Sequence, residues 1–112
     1  MREYKAKLMK VVDGDTIDAR IYLGFQISII KRIRLSNIDT PELRSSNINE
    51  RQKAIAAKER LQELMYRDEG FFKLISEGFD KYGRCIGQVI VEGENISKTL
   101  IKEGYGVPYF KD

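Results

Sequence analysis

From Thr16 the chain alternates apolar and polar residues with a period of two: Ile17, Ala19, Ile21 and Leu23 share one parity, and Asp18, Arg20 and Tyr22 share the other. That pattern fits a strand buried on one face and is incompatible with a helix. Leu23-Gly24-Phe25 then turns the chain into a second alternation, in which Ile27, Ile29, Ile33 and Leu35 oppose Ser28, Arg32 and Arg34. Residues 4–12 alternate less regularly before the break Asp13-Gly14-Asp15-Thr16. Three strands at such short spacing predict a meander. Asp15 has the parity of the apolar residues, so its side chain is expected to point toward the end of the core.

Residues 44–49 are polar, and helix signals follow. Asn49 is the expected N-cap, with Ala54, Ala57, Leu61, Leu64 and Met65 at helical spacing to about Tyr66, and Gly70 closing the element. Residues 71–77 and 85–92 read as two further strands joined by 78–83. After a turn at Gly93-Glu94, Asn95 caps a short helix that turns Ile96, Leu100 and Ile101 inward and stops at Gly104. Five strands and two helices predict a mainly β, α+β domain spanning residues 1–112. A five-stranded OB-type barrel accommodates this order, and a sheet with two helices on one face is the alternative.

Composition narrows the chemistry. A chain of 112 residues supports one modest core. No histidine is present, which removes the usual general base, the usual zinc ligand and every Ser-His or Cys-His device. The single cysteine, Cys85, excludes an internal disulfide and reads as a small buried strand residue. A net charge of +3, from 20 basic and 17 acidic residues, hints weakly at a polyanionic partner. The N-terminus enters a strand-like alternation with no apolar signal core, so the chain as given is expected to be cytoplasmic or intracellular, with secretion of a processed form left open. No apolar run is long enough for a membrane span.

Chemistry left to such a chain must run on carboxylates, arginines and a hard metal. Pro41 keeps Thr40 out of the helical region, so Asp39 and Glu42 are expected to converge across a turn rather than along a helix face. Taken singly, Asp13-Gly14-Asp15-Thr16, Asp39-Thr40-Pro41-Glu42 and Asp80-Lys81-Tyr82-Gly83-Arg84 read best as ordinary turns. Together with Arg34 they form a consistent set. Asp15, Asp39 and the Thr40 carbonyl are hard oxygen donors suited to Ca2+, which takes about 6–8 oxygens and would draw the rest from water or substrate. Glu42 is suited to accept a proton from an attacking water. Arg34 and Arg84 match phosphate oxygens bidentately and suit a pentacoordinate transition state. Lys81, Tyr82 and Tyr109 are candidate contacts to a terminal phosphate or a stacked base.

These motifs, Val12-Asp13-Gly14-Asp15-Thr16, Arg34-Leu35, Ile38-Asp39-Thr40-Pro41-Glu42 and Asp80-Lys81-Tyr82-Gly83-Arg84, resemble in order and spacing the staphylococcal (micrococcal, thermonuclease) nuclease family, over residues 4–110. The resemblance implies an OB-type barrel and a calcium-dependent endonuclease of low sequence specificity, cutting DNA and RNA to leave 3′-phosphate ends. By position it implies Asp15, Asp39 and Thr40 as calcium ligands, Glu42 as the base that activates water, Arg34 and Arg84 as phosphate-binding catalytic groups, and Lys81 and Tyr82 as further nucleotide contacts. The expected partner is DNA or RNA, single-stranded by preference, bound by a monomer with no organic cofactor and no membrane. This chain departs from the prototype in a shorter loop after Leu43, in Lys53 where an acid commonly precedes the helix alanine, and in ending without the long C-terminal helix. The alternative is a non-catalytic OB-type module that binds nucleic acid or protein. Such modules are expected to lack the acids or arginines that are present here.

Overall fold

The structure is a computed structural model that describes residues 2–110. Three long strands open the chain: β1 (Arg2–Asp13), β2 (Thr16–Gly24) and β3 (Ile27–Leu35). They pair antiparallel in sequence order, with Ile17 opposite Ile33 and Thr16 opposite Arg34. The two-residue strand β4 (Ile38–Asp39) follows, then α1 (Ile48–Met65), β5 (Phe71–Phe79) and β6 (Cys85–Val91). β5 pairs with both β1 and β6, and a short parallel pairing of β3 with β6 closes the ring. The result is the five-stranded, OB-type barrel expected from the order of strands and helices, not the alternative sheet with two helices on one face. Beyond it lie β7 (Glu94–Asn95), α2 (Ile96–Lys102) and β8 (Val107–Pro108).

Inward residues of the strands fill the barrel, with Ile17, Ile33, Leu74 and Val89 almost fully buried. Leu61, Leu64 and Met65 of α1 and Ile96 and Leu100 of α2 complete the same core. Each helix is started by an asparagine in extended backbone: Asn47 accepts from the Glu50 N–H and Asn95 from the Lys98 N–H. The cap of α1 is therefore Asn47 rather than Asn49. Both asparagines precede the apolar helical positions, and the one whose side chain reaches an orphan N–H three residues on decides the start. After α1, Glu69 and Gly70 take positive φ and turn the chain into β5.

The alternation correctly gives side-chain parity in β2 and β3, but not burial at the hairpin tip. Leu23, Ile27 and Ile29, expected in the core, are exposed, and Phe25 at the turn is 99% exposed. The reason is topological: β6 reaches β3 only at residues 33–35, so residues 27–32 have β2 on one side and an open edge on the other. A period of two assigns a residue to a face, and only a covering layer buries that face. Among the described residues, no helix is long and apolar enough to cross a membrane.

Candidate active site

A cleft of about 710 Å³ opens on the outer wall of the barrel, where β3, the start of β2, β4 and the turn before β6 meet. Eight of the nine residues singled out in the sequence line it, and Thr40 is the exception. Thr40 is buried beneath the cleft, and its N–H donates to Asp15 Oδ2 at 3.1 Å.

Arg34 stands at the centre. It lies on the outward face of β3, between Thr16 of β2 and Ile86 of β6, at the point where the barrel closes. One terminal nitrogen is 3.4 Å from Asp15 Oδ2 and the other 3.5 Å from Asp39 Oδ1, so a single guanidinium bridges the two acids. The first nitrogen also donates to the Leu35 carbonyl at 3.0 Å, which fixes the plane of the fork.

Asp15 is buried, as its parity implies. Its backbone carbonyl accepts from the Leu35 N–H at 2.8 Å, and its Oδ1 accepts from the Thr16 hydroxyl at 3.0 Å. Burial works to raise its pKa, but hydrogen bonding from the Asp13 carboxyl, the charge of Arg34 and the Thr40 N–H outweigh it and hold the group below the usual carboxylate range. The neighbouring Asp13 goes the other way, pushed up to about 6 by burial first and then by the adjacent Asp15. Asp39 is held by the pairing of β4 with β8, where it faces Val107, and by Asn37, whose carbonyl accepts the Tyr109 N–H at 3.1 Å. Asn37 adopts φ 65°, a left-handed conformation that asparagine tolerates. Gly106 permits this approach, because a Cβ there would lie 2.8 Å from Ile38 side-chain atoms.

Across the cleft, Asp80 organises the turn that carries Arg84. Its Oδ1 accepts from the Tyr82 and Arg84 N–H groups at 2.9 and 3.0 Å, and its Oδ2 accepts from Arg84 Nε at 2.6 Å. Burial opposes ionisation of Asp80, but these donors outweigh it and keep the carboxyl below its ordinary value. Among the described residues, no protein acceptor takes the terminal nitrogens of Arg84, so that end of the fork is available to a ligand. Lys81 and Arg84 both lie near the face of the Tyr82 ring, at 5.3 and 5.7 Å from its centroid. Glu42 is exposed on the cleft wall.

Sequence reasoning named the Asp80 motif without giving Asp80 a task. The signal was present: an aspartate two and four residues before the N–H groups it caps, with an arginine at the fourth position. It likewise gave no role to Asp13, whose Oδ1 accepts the Asp15 N–H at 3.1 Å, or to Ser36, a cleft residue whose buried hydroxyl has no partner among the described residues.

The donor set is compatible with a hard cation. Asp15 and Asp39 approach one another closely enough to share Arg34, and Asp39 is half exposed. All candidate ligands are oxygens. Among the described residues, no group of three or more acidic, histidine or cysteine side chains is gathered as a closed metal cage. A cation bound there would have only Asp15, Asp39 and the Thr40 carbonyl as candidate protein ligands and would need water or substrate for the rest.

Fold and cleft together define a class: a small OB-type barrel with two acids and two arginines converging on its outer wall. The profile of the staphylococcal nuclease homologue family matches residues 32–112. The chain is 35% identical to endonuclease YhcR of Bacillus subtilis over 115 residues, covering 96% of this chain and 9% of that protein. It is 34% identical to endonuclease YncB of the same organism over 100 residues (87% of this chain, 44% of YncB). It is also 34% identical to the staphylococcal-like nuclease CAN1 of Arabidopsis thaliana over 79 residues (70% of this chain, 22% of CAN1). The chain belongs to the staphylococcal nuclease homologue family. It spans less than half the length of each of these relatives.

Proposed function

We propose that the protein is a nuclease: a calcium-dependent endonuclease that hydrolyses phosphodiester bonds of DNA and RNA with low sequence specificity and leaves 3′-phosphate ends. The observation that carries this reading is the convergence of Asp15, Arg34, Asp39, Glu42 and Arg84 on one cleft. Membership of a family whose named relatives include endonucleases supports it.

In this reading Asp15, Asp39 and the Thr40 carbonyl would hold Ca2+, which when bound would supply polarisation of a phosphoryl oxygen. Arg34 and Arg84 bind the scissile phosphate from two sides, and their five-donor forks match the added negative charge of a pentacoordinate transition state. Glu42 takes a proton from the attacking water as its oxygen bonds to phosphorus. The bond from phosphorus to the 5′ oxygen breaks, and that oxygen takes its proton from water, because an arginine holds its own too tightly to donate it. Lys81 and Tyr82 contact a neighbouring phosphate, and Tyr109 offers a ring for base stacking. Low sequence specificity follows from a cleft whose groups address phosphate rather than base edges. Single strands are the preferred form, because stacking on Tyr109 requires an unpaired base.

The test is cleavage of single-stranded DNA and of RNA with calcium and with excess chelator, alongside Asp39→Ala. Calcium-dependent cutting that the variant loses, with 3′-phosphate product ends, is the expected result. Binding of single strands by a folded protein that cuts nothing would instead establish a non-catalytic binding module.

A further inference from the structure

Arg34 is the first residue of a longer outward-facing surface. Residues opposed across β-ladders share a face, so the registers define rows on the outer wall of β5–β1–β2–β3. Next to the Thr16–Arg34 row comes Lys10–Asp18–Arg32, then Phe71–Lys7–Arg20–Ile30, then the pairs Lys73–Lys5 and Tyr22–Ser28. Successive rows lie two residues apart along the strands, about 6.7 Å each, so the face extends about 20 Å from the cleft toward the hairpin tip.

Six cations occupy these positions: Lys5, Lys7, Lys10, Arg20, Arg32 and Lys73. Against them stand Asp18, which pairs with Arg32 at 2.9 Å, and Glu3, which lies 3.8 Å from Lys73. A chain with a net charge of only +3 has therefore concentrated positive charge on one wall. Lys5 and Lys7 hold their ammonium groups 4.7 and 5.0 Å from the Phe71 ring centroid, and Arg20 donates to the Ser28 hydroxyl at 2.9 Å. Side chains that would otherwise fan into solvent are thus held against the sheet. At the edge of the wall acids join the cations: Glu3, Asp68 and Glu92 line a depression together with Lys5, Phe71 and Lys73.

We infer that this wall is a track for single-stranded nucleic acid, continuing the strand whose scissile phosphate Arg34 and Arg84 hold. Ordered cations in rows leading out of a phosphate-binding cleft fit a polyanion that passes through that cleft. The inference rests on the nuclease reading for its direction, and its test does not depend on catalysis.

Binding of a fluorescent oligonucleotide of about 12 nucleotides, within the about 4–16 nucleotides spanned by OB-type sites, would be measured across a salt series in excess chelator. Wild type would be compared with Lys7→Gln/Arg20→Gln, with Lys5→Gln/Lys7→Gln, which spares the Arg20–Ser28 bond, and with a charge-matched control, Lys98→Gln/Lys102→Gln on α2. Each track variant should bind more weakly and lose about 1.4 from the slope of log K against log salt, at about 0.7 per lost phosphate contact. The control should match wild type. Equal slopes for wild type and both track variants, all folded by circular dichroism, would overturn the inference. So would wild-type binding to vesicles rich in phosphatidylserine with none to the oligonucleotide, which would give the face to a membrane. A protein that cuts nothing with calcium, yet loses slope in the variants, would keep the track and sink the nuclease reading.

Discussion

Replacing Gly14 by alanine tests whether Asp15 and its Arg34 bridge are held by packing as well as by charge. A Cβ at position 14 would lie 2.8 Å from the Ala57 Cβ on α1, 2.9 Å from the Thr40 hydroxyl and 3.1 Å from the Thr40 Cβ. Carbon atoms prefer about 3.5–4.0 Å, so α1 or Thr40 must retreat by about 1 Å. Neither is the free end of a flexible side chain. Overpacking of this kind costs about 1–3 kcal/mol, which in a domain of this size lowers Tm by about 4–15 °C. Because the Thr40 N–H holds Asp15 Oδ2, the same displacement reaches the Arg34 bridge, and a misplacement near 1 Å is worth on the order of 100-fold in turnover. Thermal melting and single-turnover cleavage would be measured for Gly14→Ala, for Ala57→Gly and for the pair. The double variant should recover part of the stability, as contacting residues couple by about 0.5–3 kcal/mol, but little of the turnover, since Thr40 is still pushed. A Gly14→Ala protein with wild-type Tm and turnover would refute the reasoning. A loss of Tm alone would separate Thr40 from the chemistry.

Glu42→Gln and Arg84→Ala should each lose most turnover while melting near wild type. Near-normal cleavage by either would remove that residue from its role. Asp80→Asn keeps an oxygen for the Tyr82 and Arg84 N–H groups but loses the bond to Arg84 Nε, so kcat should fall with little change in fold, as comparison with Arg84→Ala would reveal. A carboxyl held low in the folded state adds stability above its ordinary pKa and loses it as pH falls through the folded value. The Asp80 contribution should therefore disappear only below about pH 4, and Asp80→Asn should flatten that acid limb in pH-dependent melting. Cys85 is buried, and burial raises its pKa, so it should react with a disulfide reagent only after unfolding; fast labelling of native protein would contradict the packing. Leu61→Ala should cost about 2–5 kcal/mol in urea denaturation, whereas Phe25→Ser at the exposed tip should stay within about 0.5 kcal/mol.

Much of this architecture is legible in the residues themselves. Period-two alternation gives Asp15 the inward parity and Arg34 the outward one, and the structure has Asp15 buried at the floor of the cleft that Arg34 enters from the outer wall. What alternation leaves out is the neighbour. Ile27 and Ile29 carry the right parity and stay exposed because no strand or helix covers them, and the point where β6 meets β3 is set by pairing across the whole domain. Asn47 and Asn49 are equivalent as letters, and only geometry tells which side chain meets Glu50. The Asp80 turn is local and could be read from spacing, but the bridge from Asp15 through Arg34 to Asp39 joins three separate segments and depends on the pairing of β2 with β3 and of β4 with β8.

The brevity of that closure governs when the protein can act during its own synthesis. Only Ile33–Leu35 and Cys85–Gly87 seal β3 to β6, and the paired residues are 52 positions apart in the chain. Contacts of such separation pay a larger loop-closure entropy than the β1–β2 and β2–β3 hairpins do and come later in folding. Arg34 sits in the middle of that seam, and Arg84 directly precedes the strand that completes it. A nascent chain still missing β6 holds Asp15 and Arg34 without their counterpart, so the cleft comes into being only when nearly the whole domain has left the ribosome. A phosphate can therefore meet both arginines only after β6 has paired, and no shorter nascent segment of the domain presents the complete cleft.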